Sequence, residues 1–126
     1  MQRSATVTSL YVPDVTGAIR FYTDHLGFRC TASWREGDHP PVWAEMQRDL
    51  PHGPARLWFF SGALEGRPGP SMSGVLYLFV ADVTEEAQRL KGQVTVRWGP
   101  EDQPYGLREF GIEDPFGYLI CLAQDI

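Results

Sequence analysis

"LYVPDVTGAIRFY" (residues 10–22) and "LFVADVTEEAQRL" (residues 78–90) are one pattern written twice, 68 residues apart. Each opens on apolar residues in alternation, passes through Asp-Val-Thr, and continues with apolar residues at helical spacing. Alternation is the period of a half-buried strand, and the i, i+3, i+4 recurrence is that of an amphipathic helix. Asp14 is placed to cap the first helix, in which Val15, Ala18, Ile19, Tyr22 and Leu26 share a face and Gly27 stops the turn. Asp82 is placed to cap the second, with Glu85 three residues on to complete a capping box. Val83, Ala87 and Leu90 face inward there, and Gly92 ends the helix.

A second echo extends the repeat. "DLPHGPARLWFF" (49–60) and "DPFGYLICLA" (114–123) each read as a turn followed by a strand. Strands are expected near 5–12, 28–35, 41–48 and 55–61, and again near 74–81, 93–98, 107–113 and 117–124, with Asp49 to Gly53 as a turn and Trp98 ending its strand before Gly99-Pro100. The chain is therefore one domain, 1–126, built as repeat one (1–62), a Gly/Pro/Ser-rich linker (63–73) and repeat two (74–126). Each repeat is βαβββ, so the fold class is α+β. A lone repeat cannot cover both faces of its sheet. Two must pair into a curved mixed sheet, with helices on one face and a concave cup on the other. Pairing within one chain and swapping between chains both satisfy the pattern.

The totals agree with this reading. A chain of 126 residues, 43% hydrophobic and 21% charged, is one ordinary domain with one core. A net charge of −5 offers no basic face for nucleic acid. Cys30 and Cys121 are far apart with no CxxC, which argues against a disulfide scaffold and a structural zinc knot. The opening residues lack the apolar core of a signal peptide, and no apolar run approaches the roughly 18 residues of a membrane span. A soluble, cytoplasmic protein with no membrane partner is expected.

Three stretches carry a family likeness. "VPDVTGAIRFYTDHLGF" (12–28), "REFGIEDPFGYLI" (108–120) and the paired βαβββ units resemble the vicinal-oxygen-chelate superfamily, the glyoxalase, bleomycin-resistance and extradiol-dioxygenase group. The likeness spans nearly the whole chain. "QPYGLREF" (103–110) most resembles bleomycin-resistance proteins. That likeness implies a homodimer that sequesters a flat, cationic drug in clefts between subunits, without chemistry, and places Tyr105 where the family puts a stacking aromatic.

Enzymes of this superfamily hold a divalent metal with His, Glu or Gln side chains. At the positions this implies, the chain has Val7, Val75 and Cys121, and the strand at 55–61, "ARLWFFS", has neither carboxylate nor imidazole. Val and Phe have no lone pairs for such a metal. His25 lies near a helix end, and His39 and His52 lie in turns. No metal site, no cofactor and no catalytic residue are expected, and the chain reads as a binding protein rather than an enzyme. The alternative is a metal-dependent glyoxalase-like lyase or dioxygenase-like oxygenase with atypical ligands. Cys121 reads as an apolar filler, and Glu109 beside Arg108 as part of a structural ion pair or an interface contact.

Strand alternation divides the faces. Leu10, Val12, Leu76, Leu78, Val80, Ile120 and Leu122 belong under the helices, while Val7, Ser9, Tyr11, Val75, Tyr77, Phe79, Leu119 and Cys121 face the concavity. Trp43 and Glu45 share a face, as do Trp58 and Phe60, and alternation alone leaves open which face is inward. The candidate ligand-binding residues are Trp34, Trp43, Glu45, Trp58, Phe60, Tyr77, Tyr105 and Cys121. Glu36 and Asp38 are further acids for a ligand's positive charge, and Trp98 is a weaker aromatic candidate. Rings with a few acids suit a planar small molecule and accommodate a cationic one.

Overall fold

The computed structural model describes residues 5–62, 66 and 69–126. Among them the elements run β1 (Thr8–Tyr11), α1 (Val15–Leu26), β2 (Arg29–Trp34), β3 (Trp43–Leu50), β4 (Gly53–Phe60), β5 (Val75–Phe79), α2 (Val83–Leu90), β6 (Thr95–Asp102), β7 (Leu107–Glu113) and β8 (Leu119–Asp125). They separate into two compact units, one drawn from residues 1–49 and 54–71 and the other from 50–53 and 72–126. Each unit holds a four-stranded mixed sheet and a helix, with strand orders β1-β4-β3-β2 and β5-β8-β7-β6. The fold is α+β with two βαβββ repeats. The linker expected at 63–73 falls partly on residues 63–65 and 67–68, which lie outside the described residues.

The repeat holds atom for atom at its corners. The Asp14 carboxylate accepts the Gly17 N–H at 2.9 Å, and the Asp82 carboxylate accepts the Glu85 N–H at 3.0 Å, which is the same cap at the same offset. Val12 N–H donates to the Phe60 carbonyl at 2.8 Å, and Val80 N–H to that of Ala123 at 2.9 Å, closing each parallel β1–β4 or β5–β8 pair in the same way. Gly27 ends α1 in the left-handed conformation, φ 70°, which a side chain would strain.

Each helix covers one face of its own sheet. Tyr22 of α1 is buried with its ring centroid 4.8 Å from that of Phe59, whose neighbours Leu10 and Leu57 are also buried. In the second unit Leu78, Phe110, Ile112, Ile120 and Leu122 form the buried set, and α2 contributes Val83 and Leu90. Burying each such side chain stabilises by about 1.5–3 kcal/mol. Ala87 is only half-buried; Glu86 is buried instead, and its carboxylate is held by Arg89 one turn on.

Several boundaries differ from the sequence reading by a few residues, and three of them have a structural consequence. The first strand is short, Thr8–Tyr11 rather than 5–12. The β3–β4 turn contracts to Pro51 and His52, because Asp49 and Leu50 stay in β3 and Gly53 already belongs to β4. The third is the largest. β6 does not stop at Trp98 but runs through Gly99-Pro100 to Asp102. It is the edge strand of its sheet, where a proline's missing N–H is tolerated, and the register shifts on both sides of Trp98 absorb the irregularity.

Candidate functional site

The register of the second sheet sets out a row of side chains across four strands. Tyr77 pairs with Cys121, Cys121 with Gly111, and Gly111 with Trp98. Partners in register share a face, so these four lie on one side of the sheet, opposite the buried Ile120, Leu122 and Ile112. Glu109, two residues from Gly111, joins them. Glu109 is 2% exposed, and three ring donors converge on its two oxygens. Tyr105 O–H donates at 2.7 Å, Tyr77 O–H at 3.0 Å and Trp98 Nε1–H at 3.2 Å.

Local sequence explains the arrangement. Gly111 has no side chain, and the Trp98 ring occupies that space: a Cβ on Gly111 would lie 2.3 Å from its Cδ2 and Cε2 atoms. Gly99 adopts φ +76° and brings β6 so near β7 that a Cβ there would lie 2.2 Å from the Glu109 carbonyl oxygen. Tyr105 stands in the turn before β7, closed by Gly106 N–H to the Gln103 carbonyl, and is 63% exposed. The hairpin at 114–117 is structural. Buried Asp114 accepts the N–H groups of Phe116 and Tyr118, both at 2.9 Å, and so returns the chain into β8.

The first unit repeats the device. Glu45 is buried and accepts Thr31 Oγ1–H at 2.8 Å and Trp58 Nε1–H at 2.9 Å. Thr31 sits at the register shift between Cys30 and Ala32, where a bulge re-aims its hydroxyl. Trp34 pairs with Trp43, and Trp43 meets Trp58 edge-to-face at 5.3 Å, so three indoles cross β2, β3 and β4. Tyr11 and Phe60 meet edge-to-face at 5.9 Å beside them. This settles the alternation left open by the sequence: Trp43, Glu45, Trp58 and Phe60 lie on the face opposite buried Phe59 and Tyr22.

The first unit thus brings together Trp34, Trp43, Glu45, Trp58 and Phe60, and the second brings together Tyr77, Tyr105 and Cys121. Glu36 and Asp38 lie in an exposed turn, closed by His39 N–H to the Glu36 carbonyl. Two features depart from the sequence reading. Trp98 is an integral part of the ring cluster. Glu109 makes no pair with Arg108, because neighbours on a strand point to opposite faces; Arg108 binds Asp102 at 2.7 Å, raising its own pKa and lowering that of the aspartate. Antiparallel register about the 114–117 hairpin was the available signal, since it places Glu109 on the face of Cys121.

The electrostatics favour holding over reacting. Burial, followed by the nearby Glu109 charge, pushes the Cys121 thiol up to about 12, and a thiol rather than a thiolate is a poor nucleophile at neutral pH. Burial and the Glu109 hydrogen bond raise the Tyr77 phenol, and the Glu109 hydrogen bond is the leading cause of the rise at Tyr105. Both phenols remain proton donors.

A divalent metal fits these residues poorly. Val7 and Val75 offer no donor atoms. Cys121 keeps its proton, and the Glu109 oxygens already accept three hydrogen bonds. Among the described residues no group of three His, Cys, Asp or Glu side chains is placed to hold a metal ion. No helix among them is long and apolar enough to cross a membrane, and Cys30 and Cys121 are free thiols.

Comparison with known proteins agrees with the fold. Residues 4–122 match the Glyoxalase/Bleomycin resistance protein/Dioxygenase superfamily, and the chain belongs to it. TnmS3, an antibiotic binding protein from Streptomyces sp. CB03234, is 27% identical over the whole of both chains with a TM-score of 0.71. A glyoxalase/bleomycin resistance protein from the same organism is 29% identical, covering 96% of this chain and 100% of its own, also with a TM-score of 0.71. TioX from Micromonospora sp. ML1 has a TM-score of 0.76 at 19% identity, covering 98% of this chain and all of its own, a likeness of fold. No curated protein matches the chain by sequence.

Proposed function

We propose that this member of the superfamily is a metal-free small-molecule binding protein that sequesters a planar antibiotic or metabolite on its aromatic sheet faces. The observation that carries the reading is the pair of buried glutamates, Glu45 holding the polar edge of Trp58 and Glu109 those of Tyr77, Trp98 and Tyr105. Rings held by their edges keep their faces for a ligand, and fixing them beforehand lowers the entropy cost of binding. Within the ring cluster of the second unit, Cys121, Tyr77 and Tyr105 are all shifted toward their protonated forms, which keeps the phenols donating to Glu109 and offers no nucleophile. The antibiotic binding of TnmS3 supports the same assignment by likeness. In this reading the working form is a cytoplasmic homodimer whose subunit cleft completes the site, and Tyr105, on an exposed turn, closes on the ligand.

Titration with a panel of planar antibiotics, followed by tryptophan fluorescence and thermal shift, tests the assignment. A true ligand quenches the indoles and raises the melting temperature by mass action. Tyr105→Ala then weakens binding by about 1–3 kcal/mol, the scale for a stacked aromatic. Elemental analysis of the purified protein should show no stoichiometric Fe, Mn, Ni or Zn. A stoichiometric metal whose removal abolishes a turnover would overturn the proposal, as would a panel in which nothing binds.

A further inference from the structure

Glu109, like Glu45, accepts from aromatic side chains, and it differs in its partners from Glu86 and Asp114. Glu86 meets Arg89, and Asp114 accepts backbone N–H groups of its hairpin. Glu109 is met by Tyr77, Trp98 and Tyr105, all neutral, and no basic side chain pairs with it among the described residues. A buried charge ordinarily has a positive partner. Here the charge is instead passed outward. Each phenol or indole that donates to a carboxylate is polarised, and its ring becomes richer in electrons. The rings reach solvent, Tyr77 at 40% and Tyr105 at 63% exposure with Trp98 half-buried, while Glu109 is only 2% exposed.

We propose that Glu109 is a positioning and specificity-determining residue. It acts through Tyr77, Trp98 and Tyr105 rather than by touching the ligand, fixing their edges and enriching their faces, so that this surface selects electron-poor flat rings and above all positively charged ones. The proposal rests on the binding reading above and adds a named cause to it. Ring faces carry the negative end of the aromatic quadrupole, and a cation over them is attracted without reaching the carboxylate. The polar edges of all three rings are also held on one carboxylate. Trp98 lies against Gly111, and both phenols stay protonated and keep donating.

The test compares two probes of one shape by calorimetric titration: N-methylacridinium, which is permanently charged, and acridine in mildly alkaline buffer, where it is neutral. The wild-type chain should favour N-methylacridinium by about tenfold, the size of one or two cation–ring contacts. Glu109→Gln keeps the side chain's shape and removes its charge, so the preference should collapse to about twofold or less while acridine still binds. A merely structural role would weaken both probes alike and leave their ratio standing. Glu101→Gln removes an equal but exposed charge from the residue paired with Glu109 on β6, and the ratio should stay. Tyr105→Phe deletes one donor from an exposed ring, so folding is not at stake, and should lower the ratio in part. The inference is overturned, with the binding reading intact, if the wild-type chain binds both probes equally. Glu109→Gln retaining the preference, or Glu101→Gln abolishing it equally well, does the same. If neither probe binds, this inference falls, and the binding reading is decided separately by the antibiotic panel.

Discussion

Gly111→Ala is the most searching single-atom test of the second sheet. The added Cβ would sit 2.3 Å from the Trp98 ring, where ordinary contact begins at 3.4 Å. Something must move, and the backbone around Trp98 is already bulged. Overpacking of this kind costs about 1–3 kcal/mol. Lifting the indole also stretches its 3.2 Å bond to Glu109, which adds about 1–1.5 kcal/mol. Against this, alanine is favoured over glycine in a strand interior by about 0.5–1 kcal/mol. The net expectation is a loss of about 1–4 kcal/mol. In a Trp98→Ala background the obstacle is gone, and the same substitution should stabilise by about 0.5–1 kcal/mol. Urea unfolding of the four chains forms a double-mutant cycle, with a coupling energy of about 2–4 kcal/mol between residues 98 and 111. The damage Trp98→Ala does by itself appears in both arms and cancels. Equal effects of Gly111→Ala in the two backgrounds would mean that the indole does not lie over that glycine, and the geometry of the ring cluster would have to be abandoned.

Two further outcomes follow from other parts of the molecule. Asp114→Ala should cost about 2–3 kcal/mol in urea unfolding, because a buried acceptor that satisfies two hairpin N–H groups is lost; a variant as stable as wild type would show that the turn holds without it. Cys121 sets an alkaline limit. Its thiol is raised in the folded chain from 9.0 to about 12, so the folded state keeps a proton that the unfolded state releases. That contribution is fully present below about 9 and fades as pH climbs toward 12, and Cys121→Ala should lose less stability over that window than wild type does.

Much of the fold was legible because its signals are local. Asp14 and Asp82 at one offset, the apolar spacing of Val15 to Leu26, and Gly27 at a left-handed position each speak within a few residues. The run of β6 through Pro100 was not legible, since a proline ends a central strand and only topology shows that β6 lies at an edge. The aromatic candidates could be named from the sequence, but their organiser could not. Glu109 sits beside Arg108 in the chain, and an ion pair between neighbours is the simplest reading of "RE". Strand geometry sends the two side chains to opposite faces; register about the 114–117 hairpin puts Glu109 on the face of Cys121, but only the shifted pairing of β6 with β7 shows that Trp98 meets it there.

The duplication also shows what is held constant when side chains change. Ser9 and Tyr77 occupy one position of the repeat, and each pairs in register with its parallel neighbour, Ser9 with Trp58 and Tyr77 with Cys121. The large ring has therefore exchanged strands, from β4 in one unit to β5 in the other, with a small residue opposite it each time. In both units the polar tip of that ring ends on a buried glutamate of the next strand but one or nearer, Trp58 on Glu45 of β3 and Tyr77 on Glu109 of β7. Bulk alone would require only the ring. A hydrogen bond kept while the ring moves between strands is an orienting constraint, and orientation matters where the faces of the rings are put to use. The paired glutamates thus belong with the aromatic surfaces they organise, and a variant that keeps the rings but loses either carboxylate should lose ligand discrimination sooner than it loses the fold.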